Sequence, residues 1–360
     1  MIKFLDITLQ DKKLHKLILS DMEKIMNQSD FILGKYVNMF ENSFAKFCNS
    51  KYAISCGNGT DALTLVLKSL KLPKNSEVII PAMTYCSTAF AVFNANLKPV
   101  LADLDPSKPT ISLKEVKKKI TKKTKVIMPV HLYGSVADID GIKKIISKKN
   151  ILIIDDCAQA HGAKFNGKRV GSLANLSCFS FYPGKNLGAY GDAGIITTNS
   201  NFYNKNIKNL RNLGSDKKFI HNQIGYNSRM DTIQAAILLR KLKYLDINNS
   251  KRKKIKKYYN LYIKNKKIIK LDYSKDAVYH QYVVMCKSRN KLVHLLKKNK
   301  IGYGFHYPYA IHKLPALKNI FKNQKYFNAE KIAKEGISIP IDPNLKIKDQ
   351  KKIIKILNRF

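Results

Sequence analysis

A single lysine, Lys185, lies in a setting where its amine can do chemistry. It follows Pro183 and Gly184, between the apolar runs Cys178–Tyr182 and Ile195–Thr198. Apolar runs bounded by glycine and proline predict short buried strands that are joined by turns. Burial removes water from the ammonium and lowers its pKa, and under that condition lysine becomes a nucleophile and forms a Schiff base. The alternative is a solvated lysine on an exposed turn, which this stretch alone favours.

Two carboxylates, Asp155 and Asp156, follow the aliphatic run Ile151–Ile154. This pattern predicts a buried parallel strand with charge at its C-terminal tip, where open α/β sheets bind their ligands. A buried lysine and a buried aspartate together suit pyridoxal phosphate (PLP). The lysine holds the aldehyde, and the aspartate keeps the pyridine nitrogen protonated so that the ring can act as an electron sink. We therefore predict that Lys185 and Asp156 form a catalytic pair.

A short glycine turn offers a candidate anion site after the predicted strand Ala53–Cys56. The sequence Gly57-Asn58-Gly59 leads into a predicted helix that begins at about Thr60. Free backbone amides and the positive end of the helix dipole would face an anion there. The alternative is an ordinary helix start capped by Thr60 or Asp61, and the turn alone does not decide between the two.

Long, ordered motifs surround the lysine and the carboxylates, in Ser177–Gly194 and Ile151–Gly162. They resemble the motifs of the DegT/DnrJ/EryC1/StrS family of PLP-dependent sugar aminotransferases. The resemblance extends from Phe31–Gly34 to Ile339–Pro343 and so covers nearly the whole chain. It implies the PLP aminotransferase type I fold, L-glutamate as amino donor, a nucleotide-linked keto-sugar as acceptor, and a homodimer with composite active sites.

The resemblance also implies roles for individual residues. The residues implied to bind PLP are Gly59, Thr60, Tyr85, Asp156, Gln159, Ser180, Lys185 and Asn227. The candidate sugar-nucleotide contacts are Tyr182, His306 and Tyr307. The amides at Gly59 and Thr60 form the phosphate cup, to which Ser180 adds a hydroxyl. Tyr85 stacks on the ring, and Gln159 hydrogen-bonds its phenolic oxygen.

Three further polar residues have two interpretations each. Asn227 precedes the predicted helix Thr232–Tyr244 and fits a helix cap, whereas the resemblance implies that it crosses the dimer interface to the partner's PLP phosphate. Arg229, a fourth candidate substrate contact, binds a carboxylate or phosphate through its planar fork, or else forms an intramolecular ion pair. His131 follows the predicted strand Lys125–Val130 and is either a packed residue or a contact to cofactor or substrate.

The substrate prediction rests on a few motif residues. Phe181–Gly194 and His131–Gly134 are similar to members that act on 3-keto-6-deoxy sugars attached to dTDP, which supply amino sugars for surface glycans. A dehydratase relative has histidine at the position of Lys185. Asp155 stands where glutamate is usual in the family, and Cys157 where alanine is usual. The alternatives are a 4-keto sugar linked to UDP or GDP and, in a different class, a basic regulator that binds nucleic acid.

Strand and helix patterns alternate through the first two thirds of the chain and predict a doubly wound, mostly parallel α/β sheet. The strands are predicted at Glu77–Ile80, Lys98–Ala102, Lys125–Val130 and Asn150–Ile154, with helices at Thr84–Asn94, Ser112–Ile120 and Asp138–Lys148. From residue 246 the pattern changes, and alternation in Tyr279–Cys286 predicts a half-buried strand. We predict a large PLP-binding domain at 1–245 and a small α/β domain at 246–360.

The net charge and the cysteine content limit which other classes of function are possible. The 360 residues carry 66 Lys+Arg against 25 Asp+Glu, a net charge of +41. The lysines are scattered over the chain, which favours solvated surface lysines over a dedicated nucleic-acid or membrane site. Six cysteines lack metal-ligand spacing and predict small core residues in a reducing compartment. Without a signal-like N-terminus or a bilayer-length apolar run, we expect a cytoplasmic protein.

Overall fold

The computed structural model describes residues 1–8, 12–217 and 219–360. Its α-helices are α1 Lys12–Gln28, α2 Lys35–Cys48, α3 Gly59–Ser69, α4 Cys86–Asn94, α5 Leu113–Lys119, α6 Ile139–Ile146, α7 Asn201–Arg211, α8 Thr232–Leu242, α9 Leu245–Tyr262, α10 Arg289–Lys298, α11 Phe327–Glu335 and α12 Ile347–Arg359. Within these described ranges, no helix is long and apolar enough to cross a bilayer.

The strands of these ranges are β1 Tyr52–Cys56, β2 Glu77–Pro81, β3 Lys98–Ala102, β4 Thr124–Ile127, β5 Leu152–Asp156, β6 Lys164–Phe165, β7 Lys168–Arg169, β8 Leu176–Ser180, β9 Gly194–Thr198, β10 Ser215–Lys217, β11 Ile220–His221, β12 Ile269–Lys270, β13 Tyr282–Met285 and β14 Gly336–Ile339. The predicted alternation of strand and helix is confirmed, with ends shifted by a few residues.

One seven-stranded sheet organises the first two thirds of the chain, in the order β1-β9-β8-β5-β4-β2-β3. All its neighbours pair in parallel except β9, which runs antiparallel to both β1 and β8. Helices cover both faces: Val78 and Ile80 join one core cluster, whereas Ile79 between them joins the other. The predicted mostly parallel, doubly wound α/β fold is confirmed.

Parallel direction brings three strand ends to one edge of the sheet. β1, β5 and β8 run the same way, because β1 and β8 are both antiparallel to β9 and β5 is parallel to β8. Their last residues are Cys56, Asp156 and Ser180. The glycine turn, the predicted catalytic carboxylate and the segment that leads to Lys185 therefore leave the sheet side by side.

A second, smaller sheet β12-β13-β14 packs with α9, α10 and α12 around its own apolar cluster. The expectation of a half-buried strand here was wrong, since every residue of β13 is buried. Its alternation separates two cores: Tyr282 and Val284 face the C-terminal cluster, whereas Val283 and Met285 face one of the large sheet's clusters. The division at residue 245 stays a prediction.

Candidate active site

The three strand ends open into a cavity of about 740 Å³. The sequence-predicted residues that line it are Gly59, Thr60, Tyr85, Asp156, Gln159, Ser180, Tyr182, Lys185, His306 and Tyr307. The first eight come from the large sheet and its connections, and His306 and Tyr307 come from the chain beyond β13. The structure thus brings residues from both halves of the chain to one site.

Lys185 lies in the tight turn that the Pro-Gly pair predicts, with its backbone N–H donating to the Tyr182 carbonyl at 2.8 Å. Its side chain lines the cavity rather than a solvated surface. Burial lowers the pKa of the Lys185 amine to about 8, although the nearby Asp156 carboxylate acts in the opposite direction. The alternative of an exposed lysine is therefore wrong, and an appreciable share of the amine is unprotonated at neutral pH.

Asp156 ends β5 with its side chain almost fully buried. Its Oδ2 accepts a hydrogen bond from the Thr88 hydroxyl at 2.8 Å, and its Oδ1 accepts one from the Ala158 N–H at 3.1 Å. Burial raises the pKa of Asp156, while these two hydrogen bonds and the charge of Lys185 favour the carboxylate form. The carboxylate is fixed in orientation and close enough to Lys185 for charge coupling.

The glycine turn forms a cradle at the start of α3. The helix is capped by Asn58, whose Oδ1 accepts from the Asp61 N–H at 2.9 Å, so the alternative of a cap at Thr60 or Asp61 is wrong. A Cβ on Gly59 would lie 2.5 Å from Cβ of Ser180, which requires glycine at this position. The tight approach places the Ser180 hydroxyl beside the backbone amides of the first turn.

A distant serine holds this turn in place. The Ser228 hydroxyl donates to Oδ2 of Asp61 at 2.6 Å and accepts from the Gly57 N–H at 3.1 Å. Ser228 is buried, whereas Gly57 and Asp61 are partly buried. It therefore connects the segment before α8 with the anion-binding turn.

Replacing Ser228 with alanine leaves the Gly57 N–H and the Asp61 carboxylate each short of one partner. We expect a loss of about 1–3 kcal/mol in the free energy of unfolding, because two hydrogen bonds that each contribute about 0.5–1.5 kcal/mol are removed. Urea denaturation checks this, with Ser147→Ala on the exposed end of α6 as the matched control. Equal unfolding midpoints for the two variants would contradict the anchoring role.

Gln159 has both ends of its side chain fixed. Its Oε1 accepts from the Tyr133 N–H at 2.6 Å, and its Nε2 donates to the Tyr307 hydroxyl at 2.8 Å. Because an amide nitrogen carries two hydrogens, one of them stays available for a ligand in the cavity. The bond also ties β5 to the wall that carries Tyr307.

Aromatic side chains form the outer wall of the cavity. Tyr85, at the N-cap of α4, has its ring centroid 5.5 Å from that of Tyr307. His306 stacks on Phe4 at 5.5 Å, and its Nδ1 is 2.8 Å from the Ser338 hydroxyl. Tyr85 is 54% exposed, so its ring face is free to pack on a ligand.

Asn227 and Arg229 are the two predicted residues that the structure does not bring to this cavity. Within the described chain, neither lines it. Arg229 donates to Oδ1 of Asn212 at 3.0 Å and forms no ion pair with a described residue, so the intramolecular ion pair was wrong. Asn227 is exposed. Whether either residue reaches a second copy of the chain stays a prediction.

His131 is a packed residue and not a contact to the cavity. Its side chain is fully buried, Nδ1 accepts from the Ala137 N–H at 3.1 Å, and Nε2 lies 3.4 Å from Oδ2 of Asp155. His131, Asp155 and Cys157 place ligand-type atoms within 4.8 Å of one another. Burial and the Asp155 charge raise the pKa of the Cys157 thiol well above its usual value, so the thiol is protonated when no metal ion is bound.

Sequence reasoning missed several polar residues of the site, namely Thr88, Asp61, Ser228, His280 and Gln281. Thr88 lies in the first turn of α4, and a threonine in a mainly apolar helix gave only a weak indication of a role in the site. His280 and Gln281 were included in a strand pattern, although they precede β13 and line the cavity.

The sequence profile of the DegT/DnrJ/EryC1/StrS aminotransferase family matches residues 12–358. The chain belongs to this family. As a member it is a PLP-dependent aminotransferase. The site suits that cofactor, because Gly59 lets Ser180 approach the start of α3 closely, a lysine with a lowered pKa lines the cavity, and a buried carboxylate lies close by.

Similar family members cover the whole chain. The dTDP-3-amino-3,6-dideoxy-alpha-D-galactopyranose transaminase of Aneurinibacillus thermoaerophilus is 40% identical over 362 residues, which are 100% of this chain and 99% of that protein. A pleiotropic regulatory protein of Geobacillus stearothermophilus is 37% identical over 365 residues, 100% and 98% of the two chains. S. venezuelae DesV, solved in complex with a ketimine intermediate, has a TM-score of 0.97 at 32% identity and 99% and 98% coverage.

The lowered pKa of Lys185 predicts how the rate at which the cofactor-free protein takes up PLP depends on pH. Only the unprotonated amine attacks the aldehyde, and with a pKa of about 8 this form rises about tenfold between pH 7 and pH 9. We therefore expect the second-order rate of PLP uptake to rise about as much over this range, measured by stopped-flow absorbance. A flat rate would contradict a reacting amine with this pKa.

Proposed function

We propose that this aminotransferase moves the amino group of L-glutamate to the keto carbon of a nucleotide-linked sugar, with a dTDP-linked 3-keto-6-deoxyhexose as acceptor. Glutamate becomes 2-oxoglutarate, the C=O of the sugar becomes C–NH₂, and the water consumed in the first half-reaction is released in the second. The placement of Lys185 beside the buried Asp156 carries this proposal. The relatives' sugar-nucleotide substrates support the acceptor class.

The residues around the glycine turn would hold the cofactor. Backbone amides at Gly59 and Thr60, at the positive end of α3, together with the Ser180 hydroxyl, fit the phosphate. The free amide hydrogen of Gln159 fits the phenolic oxygen. The exposed ring face of Tyr85 fits the ring system.

Bound PLP supplies an electron sink for the carbon that gives up its proton. Lys185 would take the proton from Cα of the donor as a base and give it up as an acid within the same half-reaction, and it would carry out the reverse transfer with the sugar, a use that suits an amine with a pKa of about 8. Asp156 would hold the proton on the pyridine nitrogen, because two hydrogen bonds fix the orientation of its carboxylate. Keto-sugar binding would then rely on Tyr182, His306 and Tyr307, which line the same cavity.

A second copy of the chain would complete the site. Among the described residues, the charged side chains that line the cavity are three aspartates, Asp61, Asp156 and Asp192, and one lysine, Lys185. This set is poorly suited to a phosphorylated cofactor and a nucleotide diphosphate. A homodimer in which Asn227, and with it Arg229, of one copy reaches the other copy's cavity would supply the missing donors, and the exposure of Asn227 supports this arrangement.

Mixing two inactive variants tests the dimer. A dimer of Lys185→Ala with Asn227→Ala has one site with both residues intact, so we expect activity to return on mixing and subunit exchange. Mixtures that stay inactive, despite exchange shown by mass spectrometry of the intact dimers, would contradict a composite site.

The substrate is tested in two stages. Purified enzyme with PLP is first treated with L-glutamate, and the visible absorption band should shift to that of the pyridoxamine form. A panel of 3-keto and 4-keto sugars on dTDP, UDP and GDP is then added, and the dTDP-linked 3-keto-6-deoxy sugar should restore the band fastest. Preference for a 4-keto sugar would overturn the acceptor, and a missing response to glutamate would overturn the donor.

A further inference from the structure

A directed chain of hydrogen bonds ends at His280, a residue of the cavity wall. It begins at the His161 carbonyl, which can only accept, and which receives Nδ2 of Asn249 at 2.8 Å. The other end of that amide, Oδ1, then faces Nδ2 of Asn186 at 2.9 Å. Asn186 Nδ2 also donates to the Val278 carbonyl at 3.2 Å, so two acceptors fix the orientation of the Asn186 amide.

The orientation of Asn186 fixes the proton on His280. Its remaining polar atom, Oδ1, lies 3.1 Å from Nδ1 of His280. Because Oδ1 can only accept, Nδ1 must carry the hydrogen. Burial, together with the positive charges of Lys185 and Arg252, lowers the pKa of His280 well below its usual value, so the ring is neutral and Nε2 has a lone pair.

That lone pair is available to a ligand. His280 is part of the cavity wall, along with Gln281, and its side chain is only partly buried. Gln281 Nε2 makes a long, weak hydrogen-bond contact with His280 Nε2 at 3.4 Å, which a ligand hydroxyl at a normal hydrogen-bond distance would displace. A neutral acceptor whose tautomer is fixed by two amides and two carbonyls therefore belongs to the wall of the cavity that Lys185 also lines.

We propose that His280 binds a hydroxyl of the acceptor sugar, which donates its hydrogen to Nε2. The proposal rests on the proposed function, since it assigns the polar contact that orients the keto-sugar in the same cavity. A lone-pair acceptor selects a hydroxyl and disfavours a carboxylate or phosphate oxygen, which would place two acceptors against each other. His280 thereby favours neutral sugars over acidic ones.

Two substitutions distinguish the contribution of the Nε2 atom of His280 from that of the rest of the imidazole ring. His280→Gln places an amide oxygen near the position of Nε2, whereas His280→Asn keeps a polar group only near Nδ1. We measure the second-order rate constant of each half-reaction, with glutamate and with the keto-sugar nucleotide. His280→Asn should lower the ratio of the sugar constant to the glutamate constant about tenfold, and His280→Gln should restore most of it. His294→Asn, on the exposed face of α10, is the matched control.

Other outcomes overturn the proposal. If His280→Asn lowered the rate constants of both half-reactions equally, His280 would act through Lys185 and not by binding the sugar. An unchanged ratio in both variants would leave Nε2 without a ligand. The proposed function fails separately, because it is judged on wild-type enzyme: if that enzyme accepts no keto-sugar nucleotide, the acceptor class is wrong whatever His280 does.

Discussion

Replacing Lys185 with alanine should lower transamination by about 10⁴-fold, because the side chain is proposed both to hold the cofactor and to move the proton. The visible absorption band of lysine-bound PLP should also be lost, while the circular dichroism spectrum and unfolding midpoint stay close to wild type. Both are measured on protein incubated with excess PLP. Retained turnover would contradict the assignment of Lys185.

A second buried lysine provides a sharp control. Lys241 on α8 also has a pKa lowered by burial to about 8, but it lies outside the cavity and donates to the Gly188 carbonyl. Lys241→Ala should therefore keep the visible band. Borohydride reduction of the wild-type protein with PLP, followed by peptide mass spectrometry, should place the label on Lys185. A label on Lys241 would show that a lowered pKa is enough for PLP attachment without a place in the cavity.

Replacing Asp156 with asparagine should lower turnover about 10³-fold, the scale expected when a directed charge is lost from a water-poor site. An amide can take the same space between Thr88 and Ala158, but it cannot stabilise a protonated pyridine nitrogen. We expect PLP to bind still, so the visible band remains while steady-state turnover with glutamate and keto-sugar falls.

Thr88→Val is the matched control for Asp156, since it keeps the carboxylate and removes one of its hydrogen bonds. Its effect on turnover should be about tenfold or less. If Asp156→Asn were no worse than Thr88→Val, the charge of Asp156 would not be needed and its proposed role would be wrong.

The parts of the site that the sequence predicted are those encoded within one strand and its following turn. Asp156 ends an aliphatic run and Lys185 follows a Pro-Gly turn, so a local pattern is enough to place both at a strand end. Ser228 was missed because its partner Asp61 is 167 residues away, and nothing near Ser228 indicates that contact. The tautomer of His280 likewise depends on Asn186 and Asn249, which belong to different elements.

The burial of individual residues was the other property that local sequence patterns could not predict. The alternation of Tyr282–Met285 correctly indicates a strand, but period two cannot distinguish a solvated face from a second core. Only the packing of the small sheet on the large one covers both sides. In the same way, the residues next to Lys185 in sequence are compatible with an exposed surface turn. Lys185 is partly buried because other parts of the fold form the cavity around it.

The position of β1 at the edge of the large sheet affects how the protein is made. β9 is its one neighbour in the sheet, and the two strands are roughly 140 residues apart, a separation whose closure is slow and entropically costly. A ribosome delivers the glycine turn after β1 long before it delivers β9. The nascent chain therefore cannot hold the turn in its final place until residue 198 has emerged, and fragments that end earlier should fail to retain PLP.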